Sequence, residues 1–274
     1  MVSVILLQFN TPHLTQQALR SFFQHHSGGF EVIVVDNGSE RGDVEKLREE
    51  FRDVRFITNE QNVGFSTANN RAAREARGDL LLFLNNDILF TMDVLTPISE
   101  EFNRDPTVGV VGPRLFNSDG RYQLSCGDLP TFFLEIRDKI VFRLADRNVN
   151  PVRSWYERRY REKREVGWVT GAAMCIRKDL FSRLGGFDEK MFMYFEDKDL
   201  CFRVALAGYS VLYLPEVSMM HLRGASSTGS TPELVRERYR RSQISYYAKH
   251  RPSWERALLK AYLATTGNLP RDST

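Results

Sequence analysis

The chain has 274 residues, 42% of them hydrophobic and 27% charged, with a net charge of +3. Such a length and composition suit one large α/β domain, or a domain with a small appendage, and exclude a disordered chain. The charge is too small to argue for nucleic acid, no apolar run approaches the roughly 18 residues of a membrane span, and three scattered cysteines form neither a CxxC pair nor a disulfide framework.

The N-terminus, MVSVILLQFN, has no basic leading segment and reads as a first strand rather than a signal peptide. A cytoplasmic protein is therefore expected. Strand and helix patterns then alternate. Val2–Phe9 is an apolar β-rich run, and Leu14–His25 has helical spacing through Leu14, Ala18, Leu19 and Phe22. Phe30–Val35 is a buried strand ending in Asp36-Asn37-Gly38-Ser39. Val44–Phe51 is helical, Val54–Thr58 a short strand, and Ser66–Ala76 a helix opened by Ser66. Leu80–Leu84 is a fully apolar strand running into Asn85-Asn86-Asp87, Val94–Phe102 is a helix, and Val108–Val111 a strand stopped by Gly112-Pro113. Fully apolar strands alternating with helices predict a mostly parallel sheet covered on both faces. Ligands of such sheets bind beyond the carboxyl ends of the strands, so Asn10, Asp36–Ser39 and Asn85–Asp87 should converge on one crevice.

The second half is less regular. Asp119-Gly120 between Phe116 and Tyr122 predicts a hairpin. Arg137–Glu165 carries ten basic and five acidic residues interleaved with Phe142, Leu144, Trp155, Tyr156 and Tyr160. Val166–Ile176 returns to strand character, Lys198–Ala207 is a helix, Ser210–Leu214 a strand, and Pro232–His250 a helix with a basic face. No internal repeat or linker divides the chain.

A carboxylate at a strand's carboxyl end, as Asp87 is, can hold Mg²⁺ or Mn²⁺ bridging a diphosphate; Asn and Asp are equally favoured there as turn residues. Asp36 can accept a hydrogen bond from the imide of uracil or thymine, or simply close an Asx-turn. Asn62-Val-Gly-Phe with Asn69-Asn70 brackets a loop-to-helix junction where Gly64 admits close backbone approach; it is not the GxGxxG of a dinucleotide fold. Glu196 and Asp197 precede a helix whose dipole favours carboxylates, which serves either capping or general-base chemistry. His221, taken alone, reads as a structural histidine.

In order along the chain, VDNGS, NVGFSTANN, GDLLLFLNND, GAAMCIRKDLFSRLGGFDEKMFMYFEDKDLCFRVALAGY and HLRGAS span most of residues 2–226. As a set they resemble the inverting GT-A glycosyltransferases of family 2, most closely the rhamnosyltransferase-like branch. The resemblance implies a GT-A nucleotide-diphospho-sugar transferase fold over 1–226, with a nucleotide-binding half (1–113), an acceptor and catalytic half (114–226), and a helical C-terminal extension (227–274). It implies that Asp36 reads the base, with Phe9 and Asn10 beside it, and that Asn62, Gly64 and Asn70 line the nucleotide-sugar pocket. Asn85-Asn86-Asp87 matches the family's DxD motif; Asp87 keeps the metal carboxylate for Mn²⁺ or Mg²⁺ while Asn85 replaces the first Asp. His221 would complete the metal site, Asp197 beside Glu196 would be the catalytic base, and Gly171 and Asp188 would line the donor-sugar and acceptor region.

The implied partners are a nucleotide-diphospho-sugar donor, with dTDP-rhamnose expected and a UDP-sugar the alternative, and a glycan or polyprenyl-linked acceptor. The basic stretch Arg137–Arg164 and the helix bearing Arg236, Arg238, Arg240, Arg241 and Lys249 suggest peripheral contact with the inner face of the cytoplasmic membrane, against the simpler reading of a solvated face. A nucleic-acid-binding protein leaves the acidic constellation unexplained. A non-catalytic sugar-nucleotide-binding protein has no need of Glu196-Asp197 and His221. A nucleotidyltransferase should carry a Gly-rich basic loop where Gln8-Phe9-Asn10-Thr11-Pro12 stands.

Overall fold

The structure, a computed structural model, describes residues 1–40, 44–146, 154, 158–222 and 231–270. Trp155, Tyr156 and the Arg223-Gly224-Ala225-Ser226 segment lie outside the described residues. Four parallel strands form the first half of the sheet: β1 (Val2–Gln8), β2 (Phe30–Asn37), β3 (Arg55–Asn59) and β4 (Leu80–Asn85). Helices α1 (Pro12–His25), α2 (Glu45–Glu50) and α3 (Gly64–Glu75) connect them. After β5 (Ile88–Phe90) and α4 (Leu95–Arg104) come β6 (Val108–Phe116), β7 (Tyr122–Gln123), β8 (Cys126–Gly127) and α5 (Phe132–Asp146). Short strands β9 (Arg164–Glu165) and β10 (Trp168–Val169) lead to β11 (Ala173–Arg177), α6 (Lys178–Arg183), α7 (Glu196–Leu206) and the long β12 (Ser210–His221). Helices α8 (Pro232–His250) and α9 (Ser253–Thr265) follow.

The sheet order is β3-β2-β1-β4-β11-β6-β12-β5, with β7 on β6 and β9 on β12. Alternate side chains of each strand feed opposite faces. Val2, Val4 and Leu6 of β1 and Leu82 and Leu84 of β4 join Leu19 and Phe22 of α1 and Ile98 and Phe102 of α4. Ile5, Leu81 and Phe83 point the other way, onto Phe65 and Ala68 of α3 and Leu180 and Leu200 of α6 and α7. Each such fully buried side chain contributes about 1.5–3 kcal/mol, which is why an apolar run without alternation becomes a strand between two helical layers.

Strand direction decides which ends meet. Strand β11 is antiparallel to both β4 and β6, and β12 is parallel to β6. β12 therefore runs with β4, so His221 ends at the sheet edge where Asn85 ends, and β11 begins there.

Several boundaries differ from the sequence expectation, among them the strand expected over Val166–Ile176, which is broken into β10 and β11. Strand β6 continues through Gly112-Pro113 to Phe116. Val169 packs where a Gly112 side chain would stand, and the irregular register of β12 after Leu214 accommodates the proline, which has no N–H for the ladder. Helix α3 opens at Gly64, because the Ser66 hydroxyl donates to Met191 O instead of capping. Helix α7 includes Glu196 and Asp197 in its first turn, and β12 extends seven residues beyond Leu214 to His221.

Candidate active site

The four parallel strands end in polar residues held by short hydrogen bonds. Gln8, fully buried, accepts from Thr11 N at 3.1 Å and donates to Ser39 Oγ at 3.0 Å; Asn10 N also donates to Ser39 Oγ, at 2.9 Å. Ser39 N donates to Asp36 Oδ1 at 3.3 Å. The loop after β2 is thus drawn against Phe9-Asn10. Asn37 accepts from Asn59 Nδ2 and Val63 N and donates to Asn62 Oδ1, which itself accepts from Gly64 N. Phe9, Asn10, Asp36, Asn62 and Gly64 therefore belong to one rim at the ends of β1–β3.

A second group gathers where β4, β11 and β12 meet. Asp87 is 1% exposed, and neither of its carboxylate oxygens accepts a hydrogen bond among the described residues. His221 Nε2 lies 3.0 Å from Asp87 Oδ1, with Asn85 Nδ2 3.5 Å from the same nitrogen. The other ring nitrogen, Nδ1, is 3.0 Å from Gln123 Oε1 and 2.9 Å from Gln123 Nε2. A Gln123 oxygen accepting from Nδ1–H leaves the Nε2 lone pair facing Asp87. A buried carboxylate without donors beside an oriented imidazole fits a divalent cation. Among the described residues no cluster of three His, Cys, Asp or Glu forms, so two protein ligands would leave the remaining positions to water and phosphate oxygens, as Mg²⁺ and Mn²⁺ sites commonly do.

His221, Asn85 and Gly171 line a cleft of about 460 Å³ together with Glu196, Asp197 and Tyr239. Tyr194 and Phe195 enter α7 with φ of 71° and 65°, a left-handed conformation costing non-glycine residues on the order of 1 kcal/mol each. The Phe195 ring is buried, 5.3 Å from the Tyr239 ring and 5.5 Å from that of Tyr246, which holds the strained turn. The turn aims Asp197 at the start of β11: Gly171 N donates to Oδ2 at 3.1 Å and Lys198 N to Oδ1 at 2.8 Å. Burial, with Asp197's charge adding to it, raises the Glu196 carboxyl well above the ordinary range, and its Oε2 has no partner among the described residues. Burial and the neighbouring Asp197 thus favour the neutral form of the Glu196 carboxyl. Burial would push the Lys198 amine down, but Tyr239 and the carboxylates of Asp197, Glu135 and Glu196 hold it up. Its Nζ sits 4.3 Å from the Phe195 ring centre and 4.8 Å from that of Trp168.

The sequence pattern of the family described as Glycosyl transferase family 2 matches residues 3–185. The chain belongs to glycosyl transferase family 2. An N-acetylglucosaminyl-diphospho-decaprenol L-rhamnosyltransferase of Mycobacterium tuberculosis (strain ATCC 25618 / H37Rv) is 28% identical over 260 residues, covering 91% of this chain and 84% of its own. The rhamnosyltransferase WbbL of Escherichia coli (strain K12) is 32% identical over 169 residues, 58% of this chain and 60% of that one. A mannosyltransferase from Pyrobaculum calidifontis, solved with GDP-Man and Mn²⁺, aligns with a TM-score of 0.61 at 20% identity, covering 98% of this chain and 76% of that chain. That likeness is one of fold: a GT-A glycosyltransferase sheet flanked by helices.

Three residues expected to line the family 2 pocket are occupied elsewhere. Asn86 Nδ2 donates to Thr11 Oγ1 at 2.8 Å and Thr15 Oγ1 at 3.0 Å, pinning the β4–β5 turn to α1. Asn70 donates to Phe187 O and accepts from Phe187 N, both at 2.9 Å, clamping α3 to the Gly185-Gly186 loop. Asp188 pairs with Lys249 at 2.8 Å; burial would raise its carboxyl, but Lys249 and the Lys190 N–H hold it below the ordinary range. Conversely, Gln123 and Tyr239 were not singled out from the sequence. Gln123 reaches His221 only because β7 pairs with β6 and β6 with β12, a relation no local pattern announces.

Proposed function

We propose that the protein transfers a sugar, with rhamnose from dTDP-rhamnose as the expected donor, to a hydroxyl of a lipid-linked glycan at the inner face of the cytoplasmic membrane. The observation that carries this reading is the single cleft joining His221, with Asp87 behind it, to Asp197. Its support from relatives is that the M. tuberculosis protein's name specifies an L-rhamnosyl group and an N-acetylglucosaminyl-diphospho-decaprenol acceptor. In the reaction, Asp197 takes the proton of the acceptor hydroxyl, and the hydroxyl oxygen attacks the anomeric carbon. The bond to the diphosphate oxygen breaks on the opposite side, and the configuration inverts. A divalent cation held by Asp87 and His221 would offset charge on the departing nucleoside diphosphate. Asp36, with Phe9 and Asn10, would hold the base, and Asn62 and Gly64 the pocket wall. Asn70, Asn86 and Asp188 would act by fixing the surrounding loops. The transferase unit would comprise residues 1–226, with 227–274 completing the cleft wall through Tyr239.

The test is a thermal-shift panel of dTDP-rhamnose, UDP-glucose, UDP-N-acetylglucosamine, UDP-galactose and GDP-mannose, each with and without Mn²⁺. Ligands that bind only the folded state raise the melting temperature. A Mn²⁺-dependent rise with dTDP-rhamnose supports the donor. A rise with a UDP-sugar keeps the transferase and replaces rhamnose, since Asp36 would read uracil as well as thymine. No rise with any donor would overturn the reading.

A further inference from the structure

The basic helix that suggested membrane contact spends most of its charge internally. Lys249 pairs with Asp188 and Asp199, Arg241 with Glu237, Arg240 donates to Gln243, and Arg238 lies 4.2 Å over the Phe192 ring. The next helix behaves differently. Inward, α9 buries Leu259 and Leu263. Outward, Trp254, Ala257, Leu258, Ala261 and Ala264 are all exposed, and helical periodicity puts them on one stripe. A helix apolar on both sides is normally covered on both. Here Trp254 is 53% exposed, while on α5 Phe133 is 64% and Ile140 54% exposed, seven residues apart and so on one face. The Phe133 and Trp254 ring centres are 6.4 Å apart, which joins the two helices into one apolar surface.

Among the described residues, the unpaired charge on α5 and α9 is of one sign. Arg256 and Lys260 are exposed on α9 without an ion pair among the described residues, and they line an apolar groove of about 370 Å³ against α8. The helix's one carboxylate, Glu255, is 2% exposed and paired with Arg251. On α5, Glu135 turns inward to Tyr247, and Asp138 is neutralised by Arg137. Aromatic and aliphatic side chains flanked by cations, with no free carboxylate among the described residues of the two helices, are the pattern of a helix lying in a lipid interface. A two-fold contact with a second copy would instead bring like charges towards one another.

We propose that the outer face of α5 and α9 seats on an anionic lipid surface, with Phe133, Ile140, Trp254 and Leu258 at the headgroup–acyl boundary and Arg256 and Lys260 against the phosphates. The inference rests on the proposed lipid-linked acceptor for its purpose, but not for its geometry. Flotation of the full chain with phosphatidylcholine vesicles, with and without phosphatidylglycerol, tests it. Wild type should partition onto the anionic vesicles. Arg256→Ala/Lys260→Ala should weaken that partition by about 25-fold, and Trp254→Ser/Leu258→Ser by about tenfold or more. Both variants should retain the donor-induced thermal shift of wild type, which shows them folded, whereas absence of that shift in wild type counts against the transferase reading and not against this surface. Wild type that does not float, variants that float as well as wild type, or light scattering showing a dimer that the Trp254/Leu258 variant abolishes would each overturn the proposal.

Discussion

Asp197 and Glu196 are adjacent carboxylates with different surroundings. Asp197 faces the cleft and accepts two main-chain N–H groups, whereas Glu196 is raised by burial and by its neighbour's charge. Asp197→Asn keeps an acceptor for Gly171 N–H but removes the base. It should lower turnover by about 10³-fold while the donor still shifts the melting temperature as in wild type. Near-wild-type turnover would move the base elsewhere. Gln123 would act through His221: its Oε1 accepting from Nδ1–H would leave the lone pair on Nε2 for the metal. Gln123→Ala should weaken Mn²⁺ binding in the presence of nucleoside diphosphate by about 10- to 100-fold in calorimetric titration, and Gln123→Glu, which keeps an accepting oxygen, should restore most of it. Unchanged Mn²⁺ affinity in the alanine variant would make Gln123 a packing residue only.

Between elements, α3 packs closely against the loop before α7. Gly64 opens α3 at φ +86°, and a Cβ there would stand 2.7 Å from both Phe192 O and the Phe192 ring. Phe65 N already donates to Phe192 O at 2.7 Å, so the loop has nowhere to retreat without breaking that bond. Gly64→Ala combines a left-handed penalty with a main-chain clash and should destabilise the protein by about 2 kcal/mol or more, read as a lower urea midpoint. A midpoint equal to wild type would mean that the loop yields freely. The glycine's sequence context suggested close approach to a ligand; its nearest neighbour in the fold is Phe192.

Across the whole molecule, α8 and α9 are not an appendage. With Met191 and Phe195 they bury Tyr246, Tyr247, Leu259 and Leu263 in a third core, and Asp199 fastens α7 to α8. Its carboxylate is fully buried among Arg203 at 2.5 Å, His250 at 2.6 Å and Lys249 at 2.7 Å. Burial would raise its pKa, but the His250 hydrogen bond with the Arg203 and Lys249 charges outweighs burial and holds it at about 2. A carboxyl depressed on folding stabilises above its unfolded pKa, near 4, and loses that contribution as pH falls towards 2. The group should contribute about 2 kcal/mol at neutral pH. Urea midpoints measured from pH 6 down to about pH 2 should show that loss in wild type, and Asp199→Asn should lack that part of the slope. Equal slopes would assign the acid sensitivity to other carboxylates.

The amino-acid sequence by itself determined the layers of this protein. Unbroken apolar runs such as Leu80–Leu84 demand cover on both faces, and the helical spacing of Leu14, Ala18, Leu19 and Phe22 supplies one covering stripe. Sequence position also placed Asp36 and Asp87 at strand ends, because ladder pairing stops where turn residues begin. Only the tertiary structure decided which polar residues face the cleft. Asn85 and Asn86 are neighbours with the same side chain, yet one lies beside His221 and the other is bound to Thr11 and Thr15. That choice depends on the direction in which β11 and β12 enter the sheet, a long-range pairing that leaves no local periodicity to read. The same holds for the outer face of α9: its apolar residues are plain in the sequence, but which of them the core leaves exposed is settled by how α9 packs on α5 and α8.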